Sequence, residues 1–183
     1  ILKTIQSSLS RLLLDCLDEI VCIKFPDSEL ARQKAKNSKI LKLKCSNSEI
    51  KQPSLSHGFE RKRSIITNAM MHLGKKYVFN IDLDNFFGSF NFGRVRGFFI
   101  KNRNFALDPE IATVIAKIAC YNNELPQGSP CSPVITNLIT HSLDIKLAAI
   151  ASRNSSTFTR YADDITFSTR KGEFPSAIAK NQN

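Results

Sequence analysis

Tyr161-Ala162-Asp163-Asp164 sets two carboxylates side by side between two β-prone runs, Thr157-Phe158-Thr159-Arg160-Tyr161 before them and Ile165-Thr166-Phe167-Ser168 after. Alternation over runs of that length reads as strand, so the pair is expected in the tight turn of a β-hairpin. Like charges this close repel unless a cation or strong hydrogen bonds offset them. Oxygen-only ligands suit Mg²⁺, which takes one or two carboxylates and fills its shell with water and substrate phosphates. Asp-Asp alone is also ordinary turn chemistry. A second carboxylate segment, Tyr77-Val78-Phe79-Asn80-Ile81-Asp82, shifts the balance toward a metal. Tyr77, Phe79 and Ile81 alternate as one predicted buried face, which leaves Asp82 at the strand end. Two-metal phosphoryl transfer needs carboxylates from separate strands gathered around ions about 3.5–4 Å apart. Asp84 competes with Asp82 locally, but lies beyond the predicted strand. Between the two segments, Leu125-Pro126-Gln127-Gly128-Ser129-Pro130-Cys131-Ser132-Pro133 reads as a Pro- and Gly-punctuated loop entering a helix.

Helices must frame these strands. Leu2, Ile5, Leu9, Leu12, Leu13, Cys16, Leu17 and Ile20 fall at helical spacing and predict a core-facing helix over 2–20. A short helix is expected over 61–74, the first carboxylate strand over 76–82, and a further helix over 91–101 despite Gly93 and Gly97. Asp108-Pro109-Glu110 carries an N-cap acid, Pro at the first helical position and an acid in the first turn. Ile111, Val114, Ile115 and Ile118 are then the predicted buried face. Ser132-Pro133 opens another helix, with Val134, Ile135, Leu138, Ile139 and Leu143 on one side. Residues 27–55 are Lys- and Ser-rich with little periodicity beyond Ile40-Leu41-Lys42-Leu43-Lys44, and read as an insertion. Strands alternating with helices imply an α+β fold, an antiparallel sheet with helices on one face.

The 183 residues, with 42% hydrophobic residues and 13 Phe, suffice for one domain with a core. No run reaches the 18 apolar residues a membrane span requires. Cys16, Cys22, Cys45, Cys120 and Cys131 are odd in number and lack Cys-x-x-Cys spacing, which suits thiols in a reducing cytoplasm. His57, His72 and His141 form no zinc pattern and read as hydrogen-bonding histidines. A net charge of +10 calls for a polyanionic partner. Residues 31–63 hold ten Lys and Arg against Glu49 and Glu60, and Arg94, Arg96, Lys101 and Arg103 make a second basic group. Solvated basic faces are common, so charge alone does not assign nucleic acid.

Taken in order, the segments resemble the palm of a reverse transcriptase: Asp82 with an aromatic five residues on at Phe87, the Pro126-Gln127-Gly128 loop, and Tyr161-x-Asp163-Asp164. A fourth stretch, His57-Gly58-Phe59, Arg63-Ser64 and Asn68-Ala69-Met70-Met71-His72, resembles what bacterial retron-type reverse transcriptases carry before the first catalytic Asp. Four motifs in register over residues 57–168 are specific. The resemblance implies an α+β polymerase palm with part of a helical fingers region: fingers over 1–75, with the basic insertion at 27–55, and palm over 76–183.

It further implies Asp82, Asp163 and Asp164 as catalytic and metal-binding carboxylates, with the Leu83 carbonyl as another ligand, for two Mg²⁺ ions. Phe87 either packs in the core or closes the sugar pocket against a 2′-hydroxyl. Gln127 and Gly128 would flank the incoming base pair, or form a plain turn. Tyr161 packs on the sheet or touches the primer end. Arg61, Lys62 and Arg63 are candidates for phosphate contact. The implied partners are an RNA template, a DNA or RNA primer, dNTPs and a structured non-coding RNA, in the bacterial cytoplasm, and systems of this kind are tied to phage defence. The basic hairpin that grips the triphosphate would lie upstream of residue 2 and the thumb downstream of residue 183, so the chain, which begins on Ile rather than Met, reads as a piece of a longer enzyme, inactive alone. The alternatives are an intron-maturase-like or other bacterial reverse transcriptase, and a catalytically silent RNA-binding module.

Overall fold

The computed structural model describes residues 1–24 and 55–179, so most of the predicted insertion lies outside the described residues. The elements run α1 (Leu2–Lys24), α2 (Ile65–Met70), β1 (Tyr77–Asp82), α3 (Phe92–Lys101), α4 (Pro109–Ala119), α5 (Ser132–Arg153), β2 (Ser156–Tyr161) and β3 (Asp164–Thr169). They form one antiparallel sheet of order β1-β3-β2 with helices against it, the α+β architecture expected.

Local chemistry sets the element ends. The Asp108 carboxylate accepts from the Glu110 N–H at 2.8 Å with Pro109 at the first helical position, and Asn91 caps α3 by accepting from the Arg94 N–H. Ser64 and Thr67 close a reciprocal capping box that starts α2, which is shorter than predicted: regular helix stops at Met70, and turns carry the chain to Gly74 at φ +67°.

Two apolar clusters share α5. One buries Phe86, Phe90, Val95 and Phe99 against the alanines of α4, Leu13 of α1, and Val134 and Ile135. The other packs Ala151 against Phe158, Ile165 and Phe167 of the sheet. Helix α5 is long and apolar enough to cross a membrane by length and composition, but its inward side is committed to both clusters, so it reads as a core helix.

Burial corrects three faces. In α4 the buried positions are Ala112, Ala116 and Ala119, while Ile111 and Val114 are more than half exposed, because the close packing of α4 against α3 admits methyl groups and turns the larger chains outward. In α1, Leu13 and Gln6 face inward, the Gln6 amide donating to the Ile118 carbonyl at 2.9 Å, and Leu2, Ile5 and Leu12 are exposed. Strand β1 is one edge of the sheet, and the helices pack on β2 at the other. Only Phe79 of its predicted buried face is even half-buried, while Tyr77 and Ile81 are exposed.

Candidate active site

Strand register brings the carboxylates together. Asp82, the last residue of β1, lies directly opposite Asp164, the first residue of β3, and Tyr161 faces Asp164 from the other side. Directly opposed residues in an antiparallel pair point to the same face with Cβ atoms about 5 Å apart. Asp163 occupies the two-residue turn between β2 and β3, and its carbonyl accepts from the Leu83 N–H at 3.2 Å, stitching the end of β1 to the hairpin. Burial, then the charges of Asp163 and Asp82, push the Asp164 carboxyl above its usual range. That mutual repulsion is what a cation would relieve. Among the described residues, no three His, Cys, Asp or Glu side chains already converge tightly enough to cage an ion. Mg²⁺ does not need such a cage, since water and substrate phosphates complete its shell. The all-oxygen donor set therefore fits it. Asp84 lies past the strand end and is exposed.

The remaining predicted residues differ in burial and in the partners they hold. Phe86 and Phe90 are the rings of the aromatic run that pack in the core. Phe87 is only half-buried, its ring 6.5 Å from Phe59 and 5.3 Å from Phe86. Gln127 and Gly128 are exposed on a turn, and Gly128 has φ +80°, a backbone state glycine adopts without steric cost. The turn is anchored by buried Leu125, whose N–H donates to the Phe90 carbonyl at 3.2 Å, so it is tied to the segment that carries Phe87. Tyr161 is half-buried and Lys62 exposed. The Arg61 guanidinium lies 2.8 Å from Asp15 and 2.6 Å from Asp18 of α1. A phosphate there would compete with two carboxylates. Arg63 donates to His57 Nε2 at 2.8 Å. Both arginines thus have intramolecular duties that the sequence reading did not foresee.

His57 and His72 bear out the hydrogen-bonding assignment. The Thr67 hydroxyl donates to the Ser64 carbonyl, so the Thr67–His57 bond at 2.9 Å takes the proton of Nδ1, and Nε2 is left to accept from Arg63. Burial, then the nearby Arg63 and His72, push His57 down to about 4, so it is neutral. His72 bridges Ser168 of β3 and Thr159 of β2 at 2.6 and 2.7 Å.

One buried group escaped the sequence reading. Arg160 is fully buried, and makes a two-pronged ion pair with Asp144 at 2.7 and 2.8 Å. Its Nη1 donates to the Ala162 carbonyl at 2.8 Å and to Asn137 Oδ1 at 3.1 Å. Asn137 Nδ2 donates in turn to the Gly58 carbonyl at 2.8 Å. The signal was present: Arg160 interrupts the inward apolar positions Phe158 and Ile165, and Asn137, Thr140 and Asp144 recur on one side of an otherwise apolar helix.

The sequence pattern of the family described as reverse transcriptase (RNA-dependent DNA polymerase) matches residues 31–179, and the chain belongs to that family. Several curated proteins that it matches are retron reverse transcriptases. It is 42% identical over 115 residues to the retron Ec86 reverse transcriptase of Escherichia coli, covering 63% of this chain and 35% of that protein. To the retron Mx162 reverse transcriptase of Myxococcus xanthus it is 38% identical over 138 residues, covering 66% and 28%. To the retron Ec73 reverse transcriptase of Escherichia coli it is 36% identical over 135 residues, covering 67% and 42%. The chain thus spans well under half the length of these relatives.

Proposed function

We propose that this chain supplies the catalytic carboxylates and part of the nucleotide pocket for RNA-directed DNA synthesis, the addition of dNTPs to a primer 3′-hydroxyl. The observation that carries the proposal is the pairing of Asp82 with Asp164 across β1 and β3, with Asp163 in the turn hydrogen-bonded back to Leu83. Asp82, Asp163 and Asp164, with the Leu83 carbonyl, would hold the divalent ions. Two bound Mg²⁺ ions would supply acidification of the primer hydroxyl and neutralisation of the triphosphate. The protein's own contribution is placement. Phe87 presents a half-buried ring on the core side, suited to exclude a ribose 2′-hydroxyl, and Gln127 and Gly128 offer an exposed turn to the base pair. Lys62 and Arg63, together with the lysines and arginines of residues 32–51, would contact phosphate, while Arg61 stays on Asp15 and Asp18. Tyr161, opposite Asp164 in the β2–β3 register, would meet the primer end.

Similarity to retron reverse transcriptases supports a bacterial cytoplasmic enzyme whose structured non-coding RNA serves as template and primer, with a role in phage defence. The test uses the protein as encoded. Asp82→Asn or Asp163→Asn, each removing a charge with little change in volume, should abolish extension of a primed RNA template in Mg²⁺ without lowering Tm, since each relieves like-charge repulsion. Normal DNA yield from either variant would refute the site.

A further inference from the structure

The Ala162–Asp163 turn is in a conformation that its own residues do not favour. Ala162 has φ +56°, in the left-handed region where a side chain with a Cβ is strained. Such a state persists only where the surroundings over-determine it. The surroundings here are specific. Arg160 Nη1 donates to the Ala162 carbonyl, and the opposite side of the same guanidinium is locked on both oxygens of Asp144. The main chain is gripped as well: the Arg160 N–H donates to the Leu55 carbonyl at 3.0 Å, and the Arg160 carbonyl accepts from the His57 N–H at 2.7 Å. Gly58 closes over the turn so tightly that a Cβ there would lie 2.5 Å from the Ala162 nitrogen.

We infer that Arg160, oriented by Asp144 and Asn137, is a positioning residue that fixes the strained Ala162–Asp163 turn and thereby the Asp163 carboxylate relative to Asp82. A planar guanidinium is required because one head must reach a carboxylate, an amide oxygen and a backbone carbonyl at once, which the single ammonium of lysine cannot do in the same geometry. Core stability by itself does not call for it, since buried ion pairs are often replaceable by apolar side chains of similar volume. The inference deepens the proposed metal site and rests on that reading for its second readout only.

The experiment uses the protein as encoded, with two variants: Arg160→Lys, which keeps a charge beside Asp144, and the double variant Arg160→Met with Asp144→Leu, which removes both buried charges together. The first readout needs no metal and no activity. Hydrogen exchange at the Leu83 amide, which is bonded to the Asp163 carbonyl, should speed up at least about tenfold in both folded variants. The second is the Mg²⁺ concentration for half-maximal primer extension, which should rise about tenfold or more, with much of the lost rate restored at high Mg²⁺. Folded variants with wild-type Leu83 protection and wild-type Mg²⁺ requirement would overturn the inference. Unfolding of both variants would also overturn it, by making the group a requirement of the fold rather than of the turn. If Leu83 protection falls while the Mg²⁺ requirement is unchanged, the positioning holds and the metal reading fails.

Discussion

Gly58→Ala tests how closely the loop before α2 is fitted to the hairpin turn. An ideal Cβ at residue 58 falls 2.5 Å from the Ala162 nitrogen and 3.2 Å from the Tyr161 carbonyl carbon, where ordinary contact begins near 3.4 Å. The backbones must therefore separate by about 0.9 Å, the difference between 3.4 and 2.5 Å. Neither side can yield cheaply. The loop is held by the His57 N–H to the Arg160 carbonyl and by Asn137 to the Gly58 carbonyl, and the turn by Arg160 to the Ala162 carbonyl. Overpacking of this kind costs roughly 1–3 kcal/mol. For a chain of this size that lowers Tm by about 2–12 °C. The effect on rate should be larger in proportion, since a misplacement near 1 Å costs about 100-fold where alignment supplies the rate. Calorimetry and primer extension on the same preparation separate the two. Gly97→Ala is the control: nothing lies within 4 Å of its Cβ position in α3, so it should gain roughly 0.5–1 kcal/mol of stability. Wild-type Tm and extension rate for Gly58→Ala would refute the close approach.

Stability should depend on pH through two opposed groups. Burial pushes the Glu60 carboxyl up to about 7, so its contribution falls as pH rises from about 4.5 to 7, whereas neutral His57, near 4, contributes stability that is lost as pH falls from about 6.5 to 4. Glu60→Gln should therefore make stability climb with pH more steeply than in the wild type between about 4.5 and 7; superimposable profiles would show that Glu60 titrates normally. Replacing three or four lysines between Arg32 and Lys51 by Gln should weaken RNA binding and flatten the dependence of log K on log salt, while Arg61→Ala, held by Asp15 and Asp18, should leave that slope unchanged and cost only about 1 kcal/mol of stability. An unchanged slope in the lysine variant would mean that the stretch does not meet phosphate.

The meeting of the carboxylates at one sheet end was legible because strand patterning is local: Asp82 ends a six-residue strand, and Asp163-Asp164 sit where alternation breaks between two strands. Helix α4 was legible in its start, where Asp108, Pro109 and Glu110 act within one turn, but not in its inward face. Periodicity reports which side is apolar, and Ile111, Val114, Ala112 and Ala116 are all apolar; the distance to α3 decides among them, and that is set by residues far away in sequence. Strand β1 failed for a related reason. Its alternation is real, yet α5 and α2 pack on β2 and not on β1, so Tyr77 and Ile81 stay exposed among the described residues. Arg61 read as a phosphate ligand because its partners, Asp15 and Asp18, lie more than forty residues upstream.

The site thus joins two kinds of electrostatics. At the sheet end, Asp82 and Asp164 are exposed and Asp163 is half-buried, an unfavourable cluster of like charges that a cation would relieve. One residue inward from the turn, the opposite regime holds: Arg160 and Asp144 are sealed from water, and their attraction is undiluted by solvent. Removing two ions from water offsets much of that attraction, so the pair contributes little net stability compared with apolar side chains of the same size. What apolar side chains lack is direction. A guanidinium with four bonds of defined length, to Asp144, Asn137 and Ala162, holds the turn against both its own strain and the repulsion of its carboxylates. Carboxylates that repel one another keep a defined spacing only if the backbone beneath them cannot relax, and the buried pair supplies that rigidity in this fold.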